Sequence, residues 1–348
     1  MEKNVKSVTQ LRNLNRYRIL EYMHSMGISS KIEMVKDLKL SAPTISRNVN
    51  PYIGSLIKKS GKHDTKTRGR KADTLEFNYN MGKILSIQVD KDHLAFCTSN
   101  LSREIIDFKK TPISHFNREH FLDLLSCHLR DMKDDVDIIV VGLSGYLNRD
   151  NMVMFSFPGL NDLHINSVIH LIKERFPDSI IGFENDANLL AVRESYNYKQ
   201  KWNNLVCIYW GEGLGMGIVI DGNLYRGKGR AGELGRTLLS GETLETRLSG
   251  LKESEQIQTF QTALYNIALL MQPDAIILNG PREAIFEKVT REWQMDEENQ
   301  TALIISRGGE KSVVEGGISL GISLYLKKLS VGRDFLGQAS GSENIFVF

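Results

Sequence analysis

The chain has 348 residues, 41% apolar and 25% charged, too long for one small core and too apolar for a disordered protein, so two or three packed units are expected. No run approaches the roughly 20 apolar residues that span a bilayer, and the basic start MEKNVKSVTQLRNLNRYRIL lacks the apolar region of a signal peptide, which predicts a cytoplasmic protein with no membrane partner. The net charge of +2 hides an asymmetry: residues 1–71 carry 16 Lys and Arg against 5 Asp and Glu, net +11, while residues 72–348 carry 28 against 37, net −9, which points to a polyanion partner for the N-terminal part alone.

In chain order, Val8 to Met26 keeps helical spacing of Leu11, Leu14, Ile19, Leu20 and Met23, and Gly27 supplies a stop. Ser29 or Ser30 caps a second short helix in which Ile32, Val35 and Leu38 share a face and Glu33 occupies the first turn. Ser41 caps a third helix, APTISRNVNPYIGSLI, with Pro43 tolerated in its opening turn and Ile45, Val49 and Ile53 turned inward. Two short helices joined tightly make a helix-turn-helix, and Ser41, Thr44, Ser46, Arg47 and Asn48 line the start of the reading helix. Arg47 suits guanine and Asn48 adenine, given a path to the groove. The following LIKKSGKHDTKTRGRKADTLEFN reads as a β-hairpin with a basic tip from Lys58 and Lys59 to Lys71. Within it, Arg68-Gly69-Arg70 fits a narrow, electronegative minor groove. A winged helix-turn-helix over residues 1–78 is predicted, with double-stranded DNA as its partner.

From Ile84 the pattern changes to three alternating strands, a helix, strand DIIVVGLSG, helix INSVIHLIKERF, strand SIIGFEN and helix DANLLAVRESYNY. Then NLVCIYWGEGLGMGIVIDGNLYRG reads as strand, glycine-rich turn, strand, Asp221-Gly222 turn and a third strand. Helix FQTALYNIALLM, strand AIILNG and helix GGISLGISLYLKKL follow, before a polar tail. The order occurs twice, which predicts two α/β lobes, residues 79–198 and 199–348, with a ligand cleft between them. Cys97, Cys127 and Cys207 lack the paired spacing of a metal or disulfide framework and read as reduced core thiols.

Glu184-Asn185-Asp186-Ala187-Asn188 lies at a strand-to-helix junction, and Ala231-Gly232-Glu233-Leu234-Gly235 follows about 45 residues later. Read alone, the first is equally a helix cap or a polyol site, because Asn and Asp serve both. The order helix-turn-helix, wing, NDAN, GxGLGxG, DGxLYxG, AGELG resembles the ROK family of repressors and sugar kinases over roughly residues 10–330. The resemblance implies a ribonuclease-H-like, actin-like two-lobed domain of the sugar-kinase type behind an α+β reader domain. It also implies a homodimer or higher homo-oligomer and a monosaccharide or sugar-phosphate effector between the lobes. By the same resemblance Asn185, Asp186, Glu233 and Glu245, the last in Leu-Glu-x-x-x-Ser, are sugar contacts, and Asp186 matches the kinases' general base.

The chain also departs from that family. Where the kinases carry Asp-x-Gly-Gly-Thr it has Asp90-Lys91-Asp92-His93, and Glu212 brings a carboxylate into the second glycine loop. Bulk and negative charge both oppose a phosphate there. The glycines of Gly211 to Gly217 are then a phosphate loop or a plain turn in a meander, and only Asn279-Gly280-Pro281 stands where a double glycine is common. Arg236 replaces the family's zinc-binding histidine and no cysteine follows Cys207, so no metal is expected. Arg236 either meets an anionic ligand group or lies in a surface ion pair. A sugar-responsive repressor is predicted, with Asp186 a vestigial base, no catalytic residue and no cofactor. The alternative is an ATP-dependent sugar kinase with an appended DNA-binding domain.

Overall fold

The structure is a computed structural model and describes residues 7–62, 73–113, 117–148, 153–155, 163–211, 213–229, 231–293, 300–331 and 345–347. Helix α1 (Val8–Met26) opens on a capping box between Ser7 and Gln10 and ends at Gly27, whose φ of +70° is open to glycine at little cost. Strand β1 (Ile28–Ser30) leads into α2 (Lys31–Leu38), capped by Ser30 and Glu33 in a second box. Helix α3 (Ala42–Val49), capped by Ser41, is shorter than predicted: Pro51 lacks an N–H and cannot prolong it, and a single 3-10 turn, Asn50–Tyr52, replaces the last part. Strands β2 (Ile57–Lys62) and β3 (Asp73–Phe77) complete an antiparallel sheet ordered β1-β3-β2. Ile19, Leu20, Met23, Met34, Ile45, Val49 and Ile57 form the buried core. The predicted inner face of α2 is corrected: Ile32 is 66% exposed and Met34 takes its place inside.

Among the described residues, the body is built on two large sheets, with a three-stranded and a two-stranded sheet beside them. Strands β4 (Lys83–Val89), β5 (His93–Asn100) and β6 (Ile105–Pro112) form a meander. After α4 (Arg118–Asp131), β7 (Ile138–Leu143) joins β4 in parallel. A small sheet of β8 (Tyr146–Asn148), β9 (Val153–Phe155) and β10 (Leu163–His164) leads to α5 (Ile165–Arg175) and to β11 (Ile180–Asn185), parallel to β7. Helix α6 (Asp186–Tyr198) crosses to the second sheet, where β12 (Leu205–Trp210), β13 (Leu214–Ile220) and β14 (Asn223–Tyr225) repeat the meander. Strands β15 (Leu238–Leu239) and β16 (Glu242–Thr243) precede α7 (Leu244–Gly250) and α8 (Glu253–Met271). Strand β17 (Ala275–Asn279), helix α9 (Glu283–Glu292) and β18 (Ala302–Ile305) complete that sheet, ordered β14-β13-β12-β17-β18.

Helix α10 (Ser312–Val331) and strand β19 (Ile345–Val347) do not stay in the second lobe, so the division at 199–348 needs correction. Val313, Val314, Ile318, Leu320, Ile322 and Leu324 leave α10 buried on nearly every side, between the first sheet at β4 and β7 and helix α6. The tail read as polar contributes β19, which pairs in parallel with β11 and gives the first sheet the order β19-β11-β7-β4-β5-β6. At its start α10 meets the second sheet, where Asn279 Nδ2 donates to Ser312 Oγ at 3.0 Å, and farther along it packs against α1 of the reader.

Candidate ligand cleft and nucleic-acid interface

The cleft is built where β11 ends and α6 begins. Asn185 is the N-cap of α6: its Oδ1 accepts from the Ala187 N–H at 2.9 Å and the Asn188 N–H at 3.3 Å, while its Nδ2 donates to the Gly145 carbonyl at 2.6 Å. The capping reading of NDAN is therefore met in full. For a ligand, Asn185 retains mainly its second amide hydrogen.

Asp186 is 6% exposed, and its Oδ1 accepts from the Ala187 N–H at 2.7 Å. Burial, reinforced by the carboxylates of Asp90 and Glu233, pushes its carboxyl up to about 7. Near neutrality it can therefore either donate to or accept from a hydroxyl. Tyr209, half-buried on β12, is pushed far above its ordinary value by loss of solvent and then by the same Asp186 and Asp90 charges. Gln88 lies beside the Tyr209 hydroxyl, is 3% exposed, and leaves its Oε1 without a hydrogen bond.

Glu233 is partly buried and sits 3.5 Å from Arg236 Nε, with Arg236 exposed over more than half its side chain. Glu245 lies at the glycine turn: a Cβ on Gly213 would be 3.7 Å from its Oε2, while a Cβ on Gly215 would be 4.0 Å from Asp186 Oδ1. Asp186 and Glu245 thus sit beside glycines only two residues apart. A cavity of about 610 Å³ adjoins this turn and is lined by Trp210, Arg236, Glu245, Ser249, Gln256 and Arg282. Asp90, Asp186 and Glu233 share one electrostatic neighbourhood, and Arg236 and Glu245 share the cavity. Glu212 lies outside the described residues.

Asp90, Asp92 and His93 place their ligand atoms within 4.8 Å of one another, a grouping that spacing alone did not reveal because a turn creates it. His93 Nδ1 already faces Asp92 Oδ1 at 2.5 Å, which holds the Asp92 carboxyl below its ordinary value. A cation would have to replace that contact. Of the cysteines, Cys97 and Cys207 are buried thiols, but Cys127 is exposed on α4, against the reading of all three as core.

In the reader, Arg47 is exposed and Thr44 and Ser46 are partly so, on one side of α3. Ser41 Oγ and Thr44 Oγ1 hydrogen-bond each other at 2.8 Å, and Lys58 and Lys59 are exposed on β2. Asn48 needs correction: it is 4% exposed, and its Nδ2 donates back to the Thr44 carbonyl at 2.9 Å, so it supports the helix rather than facing outward. Arg68, Gly69, Arg70 and Lys71 lie outside the described residues.

Residues 84–251, which hold both lobes' meanders and the whole acidic junction, match the ROK family profile. The match to the ROK family covers just under half of the chain. It is similar to the xylose repressor of Lactiplantibacillus pentosus, 26% identical over 329 residues that cover 80% of this chain and 84% of that one. A solved ROK family transcriptional regulator, a homologue of the E. coli Mlc protein, superposes over 92% of this chain and 99% of its own with a TM-score of 0.71 at 19% identity. A ROK family glucokinase from Streptomyces griseus, solved with glucose and AMPPNP, shares the fold over 69% of this chain and 99% of its own, with a TM-score of 0.56 at 20% identity. The ROK fold thus accommodates regulators and kinases alike. Among the described residues no helix is long and apolar enough to cross a membrane.

Two functional features went unseen in the sequence. Arg282 reaches the cavity from the loop before α9, a helix the sequence reading did not identify, and it lies 5.5 Å from the Trp210 ring. Arg226, in the DGNLYRG hairpin, donates through Nε to Glu184 Oε2 at 2.7 Å across 42 positions of chain, a pairing no local pattern encodes.

Proposed function

We propose that this chain is a sugar-responsive transcriptional repressor: a reader domain binds double-stranded operator DNA, and a monosaccharide or sugar phosphate between the lobes sets its affinity. The likeness to a xylose repressor supports the class. The observation that carries the ligand half is the burial of Asp186 at the head of α6, where loss of solvent and the Asp90 charge push its carboxyl up to about 7. Such a crevice offers hydroxyls a partner that can donate or accept, whereas the approach to a triphosphate meets carboxylates. Asp186 is therefore a sugar contact, with Glu233 and Glu245 as further acceptors and Arg236 at the rim. Phosphoryl transfer has been lost, and no cofactor or metal takes part.

On DNA, a homodimer places two heads on a pseudo-palindromic site. Arg47, Thr44 and Ser46 reach base edges, while Lys58, Lys59 and the Arg68-Gly69-Arg70 wing with Lys71 hold the backbone and the minor groove. The protein acts in the cytoplasm, on the nucleoid. An electrophoretic shift on the chain's own upstream DNA, titrated with D-xylose, D-glucose and their phosphates, tests this; an unchanged shift across the panel removes the sugar-responsive part.

One observation favours a kinase instead. A carboxyl near 7 beside a sugar hydroxyl suits a general base. A coupled assay with ATP and the same sugars decides between the two, and turnover above background would replace the repressor-only reading.

A further inference from the structure

We propose that Arg226 is a positioning residue for the sugar site, and that its ion pair with Glu184 carries the cleft's occupancy to the DNA-reading head. This rests on the sugar-responsive repressor reading above. Glu184, the penultimate residue of β11, is 3% exposed. Its Oε1 accepts from the Asn185 N–H at 2.9 Å and from Asn188 Nδ2 at 2.8 Å, and its Oε2 accepts from Arg226 Nε at 2.7 Å. One buried carboxylate thus holds the backbone and side chains that aim Asn185 and Asp186. Its charge is compensated by a guanidinium from the other lobe. A buried carboxylate stripped of such a partner is strongly unfavourable, so the junction keeps its geometry only while the β14 hairpin stays engaged.

The hairpin is tied at its turn to the start of the second sheet and shares a cavity with the reader. Gly222 N–H donates to the Asn203 carbonyl at 2.8 Å and Asp221 N–H to Asn204 Oδ1 at 3.0 Å, which fixes the turn to the second sheet. Arg226 itself lines a cavity of about 1260 Å³ that Tyr17, Glu21 and His24 of α1 also line. A sugar hydroxyl drawing on Asn185 and Asp186 therefore pulls, through Glu184, on a hairpin that borders the reader helix. Relative movement of the two lobes must either strain this ion pair or carry it along.

The test measures D-xylose and D-glucose binding by calorimetry, and operator affinity by fluorescence anisotropy with and without sugar, for the wild type, Arg226→Gln, Arg226→Lys and Glu184→Gln. Arg226→Gln and Glu184→Gln are expected to leave sugar-free operator affinity within about twofold, to weaken sugar binding, and to cut the sugar-induced change in operator affinity by about tenfold or more. Arg226→Lys, which keeps the charge, recovers part of that change. Because Glu184→Gln keeps the shape of the side chain, it supplies the result if Arg226→Gln does not fold. Wild-type coupling in both glutamine variants overturns the proposal, as does a loss of operator binding in step with thermal stability, which marks a purely structural contact. A wild type whose DNA affinity ignores sugar defeats the underlying reading and this inference with it, while normal wild-type coupling with unaffected variants defeats the inference alone.

Discussion

The hydroxyl of Tyr52 donates to the carbonyl of Leu329 at 2.7 Å, joining the turn after the reading helix to the last turn of α10. The same end of α10 accepts from Arg16 of α1 through the Ser330 carbonyl at 3.3 Å, and His24 of α1 donates through Nε2 to the Leu101 carbonyl at 2.7 Å. Because α10 starts beside the second sheet and runs along the first, the head is tied to an element that spans both lobes. Tyr52→Phe should remove one hydrogen bond, costing about 1 kcal/mol. Faster hydrogen exchange in residues 326–331 and in α3, with sugar binding unchanged, is the expected result. Unchanged exchange would show that the contact is not a working joint.

Arg47 is the exposed base-edge candidate on α3, and Lys58 and Lys59 are backbone candidates on β2. Arg47→Ala should cost about 1–3 kcal/mol on the preferred operator and relax the preference at one base position. Lys58→Ala should weaken all sequences alike and lower the salt slope by about 1. Anisotropy titrations over a set of single-base operator variants at two salt concentrations distinguish the two behaviours. Asn48→Ala should act mainly on stability, because its amide is bonded to Thr44 within the helix.

The raised carboxyl of Asp186 fixes the sign of a pH effect. Between its ordinary value of 3.8 and about 7 the native protein holds a proton that the unfolded chain has released. This group's contribution to stability is therefore complete below about 4, and it declines as pH rises through about 7. Thermal melts of Asp186→Asn should lose less stability than the wild type between pH 5 and pH 8. Asp90→Asn should end the decline at lower pH and make it smaller, since it removes the first charged neighbour that raises Asp186. Parallel curves for wild type and Asp186→Asn would contradict the assignment.

Most elements were legible because their signals are local. Ser30 and Ser41 cap helices through bonds to residues three positions on, and β4 to β7 read directly from runs such as ILSIQVD. Local patterns are silent where a distant partner decides. Met34 rather than Ile32 is buried because α2 meets α3 and β3 on the other side. Val331 and Ile345 flank a polar run, yet β19 finds an edge on β11 that no neighbouring residue announces. In the cleft, the acidic residues were identifiable from motif and charge. The engagement of Asn185 with Gly145 and of Glu184 with Arg226 depends on chain separations of about 40 residues and appears only in three dimensions.

The glycines of the second loop can be separated by what they do. A Cβ on Gly217 would lie 2.3 Å from the Ala187 carbonyl oxygen and 2.5 Å from Ala191 Cβ, so this glycine lets α6 lie directly on β13. Nearby Gly222 has φ of +72° but open space around its Cβ position, so there only the backbone conformation favours glycine. Gly222→Ala should therefore cost about 1 kcal/mol and leave sugar affinity intact. Gly217→Ala should cost more than about 2 kcal/mol and weaken sugar binding, because α6 can make room only by carrying Asp186 away from β13. Calorimetric sugar titration together with denaturant melts reads both effects. A retained glycine at Gly217 is then explained by interlobe packing, and its presence in the loop is no argument for a bound nucleotide.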